Sequence, residues 1–85
     1  MRESVMREQK ILAERIISLC KERHLSYYLL SYKSTVPITT ILNIVNCITK
    51  NPGVFTLIKI CDGLGVTIQE FFDTEEFRNI EKETE

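Results

Sequence analysis

Long apolar segments are missing from this chain of 85 residues. Its uncharged apolar runs, such as residues 54–58, fall far short of the ~20 residues that a membrane-spanning helix requires. No apolar stretch follows the first residues, as it would in a secretory signal peptide. We therefore expect a cytoplasmic protein, and the length predicts one domain because it suffices for only one core.

Residue patterns typical of disulfides, metal sites and catalysis are also scarce. The three cysteines, Cys20, Cys47 and Cys61, lack a CxxC spacing, which predicts reduced thiols rather than a disulfide framework. Cys20 and His24 would share a helix face, but a structural zinc site usually has four ligands in close pairs. The single histidine has no evident carboxylate partner beyond Glu22, and there is no glycine-rich phosphate loop. We expect a protein that is not an enzyme, with no catalytic residue, no metal, no cofactor and no small-molecule substrate.

Acidic residues are absent between Glu22 and Asp62, whereas four basic residues lie there. Residues 1–69 carry nine basic and five acidic side chains, a balance of +4, and residues 70–85 carry two basic and seven acidic ones, a balance of −5. A middle segment without carboxylates can face phosphates without repulsion. Acidic ends are common in soluble domains, so this pattern only mildly favours a polyanionic partner.

Apolar side chains recur at helical spacing along most of the chain, without strand-like alternation. The pattern predicts an all-α protein with five helices: residues 7–23; a short helix from residue 27 capped by Ser26; residues 37–46; a helix from about residue 52, capped by Asn51 and ended by Gly65; and a fifth opened by the capping box of Thr67 and Glu70. The residues of the fourth helix predicted to point inward are Phe55, Leu57, Ile58, Ile60, Cys61 and Leu64. The charged residues 78–85 predict an irregular end.

The third predicted helix has polar side chains suited to reading DNA. Its buried stripe is predicted to be Ile41, Ile44 and Val45, which leaves Ile38, Thr39, Leu42, Asn43 and Asn46 on the other faces. Thr39 and Asn43 can hydrogen-bond base edges, and Ile38 or Leu42 can contact a thymine methyl group. Phosphate contacts are expected from Asn46, Lys50 and the hydroxyl groups of Ser26 and Tyr27.

Several segments together carry a family pattern: Leu25-Ser26, Leu30-Ser31, Val36-Pro37, Thr39-Thr40-Ile41, Asn43-Ile44-Val45-Asn46, Lys50-Asn51-Pro52, Leu57, Lys59-Ile60-Cys61-Asp62-Gly63-Leu64-Gly65-Val66-Thr67 and Glu70-Phe71-Phe72. With them, residues 10–73 resemble the phage-repressor-like (Xre family) helix-turn-helix domain of bacteria. The resemblance is most specific from Asn43 to Phe72.

The resemblance implies a five-helix lambda-repressor-like fold with the helix-turn-helix at the second and third helices. It implies a transcriptional regulator of bacterial or phage-like type, in the simplest case a repressor, which binds double-stranded DNA sequence-specifically, with a homodimer as a further expectation. The family's base-reading positions fall on Ile38, Thr39 and Asn43, and its phosphate-contacting positions on Tyr27, Asn46, Lys50 and Asn51. On this basis residues 1–9 are an N-terminal extension, residues 10–73 the domain and residues 74–85 an acidic C-terminal tail.

Three departures from the family pattern involve four residues. Thr35 stands where glycine is frequent between the second and third helices, and a β-branched residue is costly if that position needs a positive φ. Cys47 and Ile48 replace a glycine and a polar or basic residue after the third helix. Tyr27 replaces a glutamine that often braces the reading helix.

An alternative function keeps the same fold but uses it to hold a protein. Exposed apolar groups at Ile38, Leu42, Ile48 and Val54 would then form the contact, as in an antitoxin, an antirepressor or an assembly adaptor. The two functions respond differently to salt, because phosphate contacts weaken steeply with ionic strength and an apolar interface does not.

Overall fold

A computed structural model describes the backbone of residues 2–84 and the side chains of residues 7–80. Within that range the protein is all-α, and its helices are α1 (Arg2–Glu22), α2 (Tyr27–Ser34), α3 (Ile38–Val45), α4 (Val54–Leu64), α5 (Ile68–Phe72) and α6 (Glu75–Thr84). No helix in the described part of the chain is long and apolar enough to span a membrane. The all-α class is confirmed, but the described helices number six rather than the five expected.

Helix α1 begins at Arg2, earlier than the start predicted near residue 7, and passes through the segment expected to be an extension. One stripe of α1 is buried, at the helical spacing of Ala13, Ile16, Leu19 and Cys20. The helix ends where His24 adopts a φ of 54°, and the Leu25 amide then donates to the Cys20 carbonyl at 2.9 Å. This return of the chain ends α1 and leads into α2, which packs against α3 and α4.

The core lies between α1, α2, α3, α4 and α5. Its buried members are Ile16, Leu19, Cys20, Leu30, Val36, Ile41, Ile44, Ile60, Cys61, Leu64 and Phe71. Burial of each large side chain contributes ~1.5–3 kcal/mol, so packing rather than helix propensity stabilises elements as short as α2 and α3.

Helices α2 and α4 approach each other closely at Gly63. A Cβ atom on Gly63 would lie 2.8 Å from the Ser34 Cβ and 3.0 Å from the Ser34 amide nitrogen. Ser34 is itself buried, with 3% of its surface exposed. Glycine is needed here because of this approach.

The start of α4 differs from the prediction. Gly53, not Asn51, occupies the N-cap position, and no side chain caps the helix. Because Asn51 lies two residues before that cap, it is too early to accept from the first helical amides. Phe55 and Ile58 are 78% and 43% exposed, so their predicted inward position was wrong: one helix cannot bury opposite faces against a single core.

The turn between α4 and α5 has the structure that the sequence predicted. Gly65 has a φ of 78°, and the Val66 amide donates to the Cys61 carbonyl at 3.0 Å. Thr67 and Glu70 form the predicted capping box: the Glu70 amide donates to Thr67 Oγ1 at 3.0 Å, and the Thr67 amide donates to Glu70 Oε1 at 2.8 Å. The hydrogen bond from the Thr67 amide, followed by the interaction with the Thr67 side chain, holds the pKa of the Glu70 carboxyl below its ordinary value.

Residues 75–84 form helix α6, so the irregular end predicted from residue 78 onward was wrong for residues 78–84. Thr74 Oγ1 accepts from the Phe77 amide at 3.4 Å at the start of α6, and Glu75 and Glu76 in the first turn suit the positive end of the helix dipole. Phe77 packs on the core and meets Phe72 edge to face at 4.8 Å between ring centroids. The contact of Phe77 with Phe72 and the core therefore holds α6 in place, although the charged sequence of this segment does not indicate it.

Candidate nucleic-acid interface

Helix α3 has one buried and one exposed face. Ile41 and Ile44 are buried, and Val45 is half-buried against the core, which confirms the predicted inner stripe. The exposed side chains are Thr39, Leu42, Asn43 and the C-cap residue Asn46. Thr39, Asn43 and Asn46 are spaced by four and three residues, so the helix brings their polar groups together on one side.

The predicted site residues are not equally accessible. Ile38 is half-buried at the start of α3, so only part of its side chain can contact a ligand. Tyr27 is half-buried and packs against the core. Ser26, Lys50 and Asn51 are exposed, but they lie outside α3, the first at the start of α2 and the others in the turn after α3. The structure therefore separates them into a helix face and two flanking segments.

Ser26 caps α2 as predicted. Its Oγ accepts from the Leu29 amide at 3.0 Å, and its extended backbone (ψ 161°) turns the chain into the helix. The remaining donor of the hydroxyl group is available to an acceptor such as a phosphate oxygen.

The turn between α2 and α3 has the positive φ that favours glycine. Thr35 adopts φ 59° and ψ 26°, and its Oγ1 donates to the Ser34 carbonyl at 2.5 Å. Ser31 Oγ donates to the Val36 carbonyl at 2.6 Å, and Ser34 Oγ accepts from the Val36 amide at 3.3 Å. The hydroxyl groups of α2 thus fix the angle at which α3 leaves the turn, and the left-handed backbone is retained without glycine.

The turn after α3 also contains a non-glycine residue with a positive φ. Cys47 has a φ of 60°, and the Ile48 amide donates to the Asn43 carbonyl at 2.8 Å. Together with the Cys47 amide, which donates to the Ile44 carbonyl at 3.0 Å, this bond forms a Schellman motif. Thr35 and Cys47, which stand where the family pattern has glycine, therefore both have left-handed backbone, one at each end of α3.

Gln9 braces the second turn, a role that the sequence reasoning missed. Its Nε2 donates to the Thr49 carbonyl at 3.0 Å and to the Cys47 carbonyl at 3.3 Å, and only 8% of the residue is exposed. Gln9 precedes Ala13 and Ile16 by four and seven residues, on the buried stripe of α1. A polar residue on a buried stripe must have hydrogen-bond partners, and this rule could have identified it.

The charges differ between the middle of the chain and its C-terminal part. Lys33, Lys50 and Lys59 are exposed in the segment without carboxylates, and Arg23 lies 3.3 Å from the Glu22 carboxylate. In the C-terminal part, Arg78 contacts Asp73 at 2.7 Å and Glu75 at 3.3 Å, and these hydrogen bonds raise the pKa of its guanidinium. The segment around α3 therefore has bases without neighbouring acids in sequence, whereas Arg78 on α6 is already paired with two acids.

The surroundings of Cys20 and Cys61 do not favour metal binding. Burial raises the pKa of the Cys20 and Cys61 thiols, which favours the protonated form over the thiolate that binds metals. Among residues with described side chains, no group of three or more histidine, cysteine or acidic residues could hold an ion.

Compared with known proteins, the chain matches no family model, no curated protein and no solved structure. The functional argument therefore rests on the geometry of α3 and its two turns.

Proposed function

We propose that this protein binds double-stranded DNA in a sequence-specific manner and regulates transcription, with α2 and α3 as a helix-turn-helix of the lambda-repressor-like type. The observation that carries the proposal is the exposed polar face of α3, opposite the buried Ile41 and Ile44, between two left-handed turns. A helix presented in this way can enter the major groove while the preceding helix lies across the backbone.

Side chains on this face and in the segments that flank it have distinct chemical roles in the proposal. Asn43 offers the donor and acceptor pair that suits adenine, and Thr39 offers a hydroxyl group to a neighbouring base. Lys50 and Asn51 approach phosphates from the turn after α3, and Ser26 and Tyr27 approach them from the start of α2. Phosphate contacts fix the register of the protein, and base contacts supply specificity.

The experiment is selection of bound sequences from a random duplex library, at low and at moderate salt. A recovered motif whose affinity falls steeply with salt supports the proposal. Asn43→Ala is expected to relax base choice at one position by about 1–3 kcal/mol, and Lys50→Ala to weaken all sequences alike and reduce the salt slope by about 1. Gln69→Ala is a matched control, because it removes an exposed amide on α5.

Two results would contradict the proposal. A folded, monodisperse protein that enriches no sequence has no sequence-reading surface. Enrichment that Asn43→Ala and Gln69→Ala leave equally intact would show that α3 is not the reader.

A protein-binding function is the second candidate, because large apolar side chains are exposed near α3. Ile48 and Val54 are each 65% exposed, and Leu42 is 36% exposed. Single apolar side chains are common on surfaces, whereas a group of them often marks a contact with another protein. This candidate predicts an affinity that hardly changes with ionic strength.

A further inference from the structure

The segment between α3 and α4, residues 46–53, contains no helix or strand and carries two of the proposed phosphate contacts, Lys50 and Asn51. Both residues are exposed. Among the residues with described side chains, neither of them has a hydrogen bond or an ion pair that would hold it in place. The positions of both side chains therefore depend on how the residues just before them, 47–49, are held.

Residues 47–49 are held from two sides. The Ile48 and Thr49 amides donate to the Asn43 carbonyl at 2.8 Å and 3.1 Å, which joins the segment to α3. The Thr49 and Cys47 carbonyls accept from Gln9 Nε2 at 3.0 Å and 3.3 Å, which joins it to α1. Thr49 is thus bonded to α3 through its amide and to α1 through its carbonyl, immediately before the phosphate-contacting pair.

Gln9 suits this role by its chemistry and its burial. Its side-chain nitrogen carries two hydrogens, so one amide group can serve both carbonyls. Only 8% of the residue is exposed, and hydrogen bonds are stronger where water is largely excluded. Gln9 also lines the same surface groove as Lys50 and Asn51, so the amide lies beside the side chains whose segment it holds.

We propose that Gln9 is a positioning residue for DNA binding: it holds the segment before Lys50 so that Lys50 and Asn51 meet the DNA backbone already ordered. The proposal rests on the proposed DNA binding and extends it to α1, to which no contact with DNA is assigned. A contact that is ordered before binding loses less conformational entropy on binding than a mobile one. The Gln9 amide therefore determines the strength of the phosphate contacts.

The base-reading face of α3 is held in another way. Ile41 and Ile44 are 0% and 2% exposed, so packing in the core fixes α3 and with it Asn43. Loss of the Gln9 amide should therefore weaken binding to all sequences alike and leave the base preferred by Asn43 unchanged. This pattern differs from a general loss of structure, which would weaken phosphate contacts and base choice together.

Gln9→Met is the test variant, because methionine has nearly the same length and no donor. Gly65→Ala is its control, because the φ of 78° at Gly65 opposes the added methyl group and lowers stability in the turn between α4 and α5. Dissociation constants are measured over a range of salt for a library-selected duplex and for single-base variants of it, at a temperature where both proteins are folded. Hydrogen exchange of the Thr49 amide without DNA reports on the segment itself.

Gln9→Met is expected to raise the dissociation constant about tenfold for every duplex and to reduce the salt slope by about 1, because Lys50 loses its ordered contact. Gly65→Ala should change the dissociation constant less than about twofold, and only Gln9→Met should accelerate exchange of the Thr49 amide. In a chain that already carries Lys50→Ala, Gln9→Met should raise the dissociation constant less than about threefold, because residues that act through one contact are not additive.

A measurement on the unmodified protein decides the matter if Gln9→Met does not fold. The side-chain amide hydrogens of Gln9 should exchange with solvent more slowly than those of Gln69, which is exposed on α5, both in the free protein and on DNA. Equal exchange rates of the two side chains would overturn the proposal.

Three further outcomes overturn it. They are Gln9→Met binding DNA no more weakly than Gly65→Ala, Gln9→Met changing the base preferred by Asn43, and an effect of Gln9→Met that adds in full to that of Lys50→Ala. A protein that binds no DNA, but in which Gln9→Met accelerates exchange of the Thr49 amide, would instead refute the proposed function and keep the hydrogen bonds of Gln9 as the support of this segment.

Discussion

The junction of α2 with α4 and the two turns around α3 differ in how well their residues suit the backbone. At the junction, the sequence provides what the backbone requires: glycine at 63, where the helices nearly touch, and glycine at 65, where φ is 78°. Around α3, the backbone also enters the left-handed region twice, but with Thr35 and Cys47. The first region is consistent with its sequence and the second is strained.

Strain at these two positions costs of order 1 kcal/mol each and persists only because the surroundings hold the backbone in place. At Thr35 the hydroxyl groups of Ser31 and Ser34 hold it, and at Cys47 the amide group of Gln9 does. The difference teaches that specific hydrogen bonds hold the two turns around α3, whereas the junction is maintained by packing.

The largest effect is expected from Gly63→Ala, which tests the packed region. The added methyl group would lie 2.8 Å from the Ser34 Cβ and 3.0 Å from the Ser34 backbone nitrogen, so α2 and α4 must separate. We expect a loss of about 2 kcal/mol in the free energy of unfolding, measured by urea titration. An unchanged unfolding midpoint would show that the two helices are less tightly packed than described.

Gly65→Ala isolates the cost of backbone conformation, because no atom lies within 4 Å of the position of the added Cβ. We expect a loss of about 1 kcal/mol, since only the positive φ opposes the methyl group. Thermal unfolding beside Gly63→Ala checks the order of the two effects. The reverse order would contradict the distinction between crowding and φ.

Thr35→Gly tests the strained region and should have the opposite sign. Removal of the β-branched side chain relieves the strain at φ 59°, partly offset by the greater freedom of glycine in the unfolded chain. We expect a gain of about 0.5 kcal/mol in the free energy of unfolding. A loss of stability would mean that the hydrogen bond from Thr35 Oγ1 to the Ser34 carbonyl outweighs the strain.

The smallest effect concerns the capping box that follows Gly65. The pKa of Glu70 is lowered in the folded protein, so its contribution is present above the ordinary carboxyl pKa and is lost as the pH falls through the lowered value. Glu70→Gln should therefore lower the Tm slightly at neutral pH and leave it unchanged in acid. Glu14→Gln, at an exposed site on α1, is the control; an equal response of both variants would refute this assignment.

The sequence predicted most caps and breaks of the fold, because these depend on local chemistry; the exception is Asn51, since Gly53 occupies the N-cap of α4. Ser26, Gly65 and the pair Thr67 and Glu70 each act within a few residues, and all three features are present. Helix α6 was missed because its stability comes from Phe77 packing on the core, a long-range contact that a charged local sequence does not reveal.

For the candidate site, the helical periodicity of the sequence predicted which side chains of α3 are exposed. It did not predict the hydrogen bonds that hold the turns around the helix. Ile41 and Ile44 define the buried face, so the exposure of Thr39 and Asn43 follows from helical spacing. The hydrogen bonds of Gln9 join residues about 40 positions apart, and helical spacing carries no information about such partners. Whether Thr39 and Asn43 contact bases remains the prediction that library selection tests.

The close approach at Gly63 also constrains how this sequence can change over time. Ser34 and Gly63 lie 29 positions apart, yet they share one small volume between two helices. A larger residue at either position requires a shift of α2 relative to α4, and α3 would move with α2 through the turn at Thr35. In descendants of this chain that keep the orientation of α3, small side chains at positions 34 and 63 should therefore be inherited as a pair.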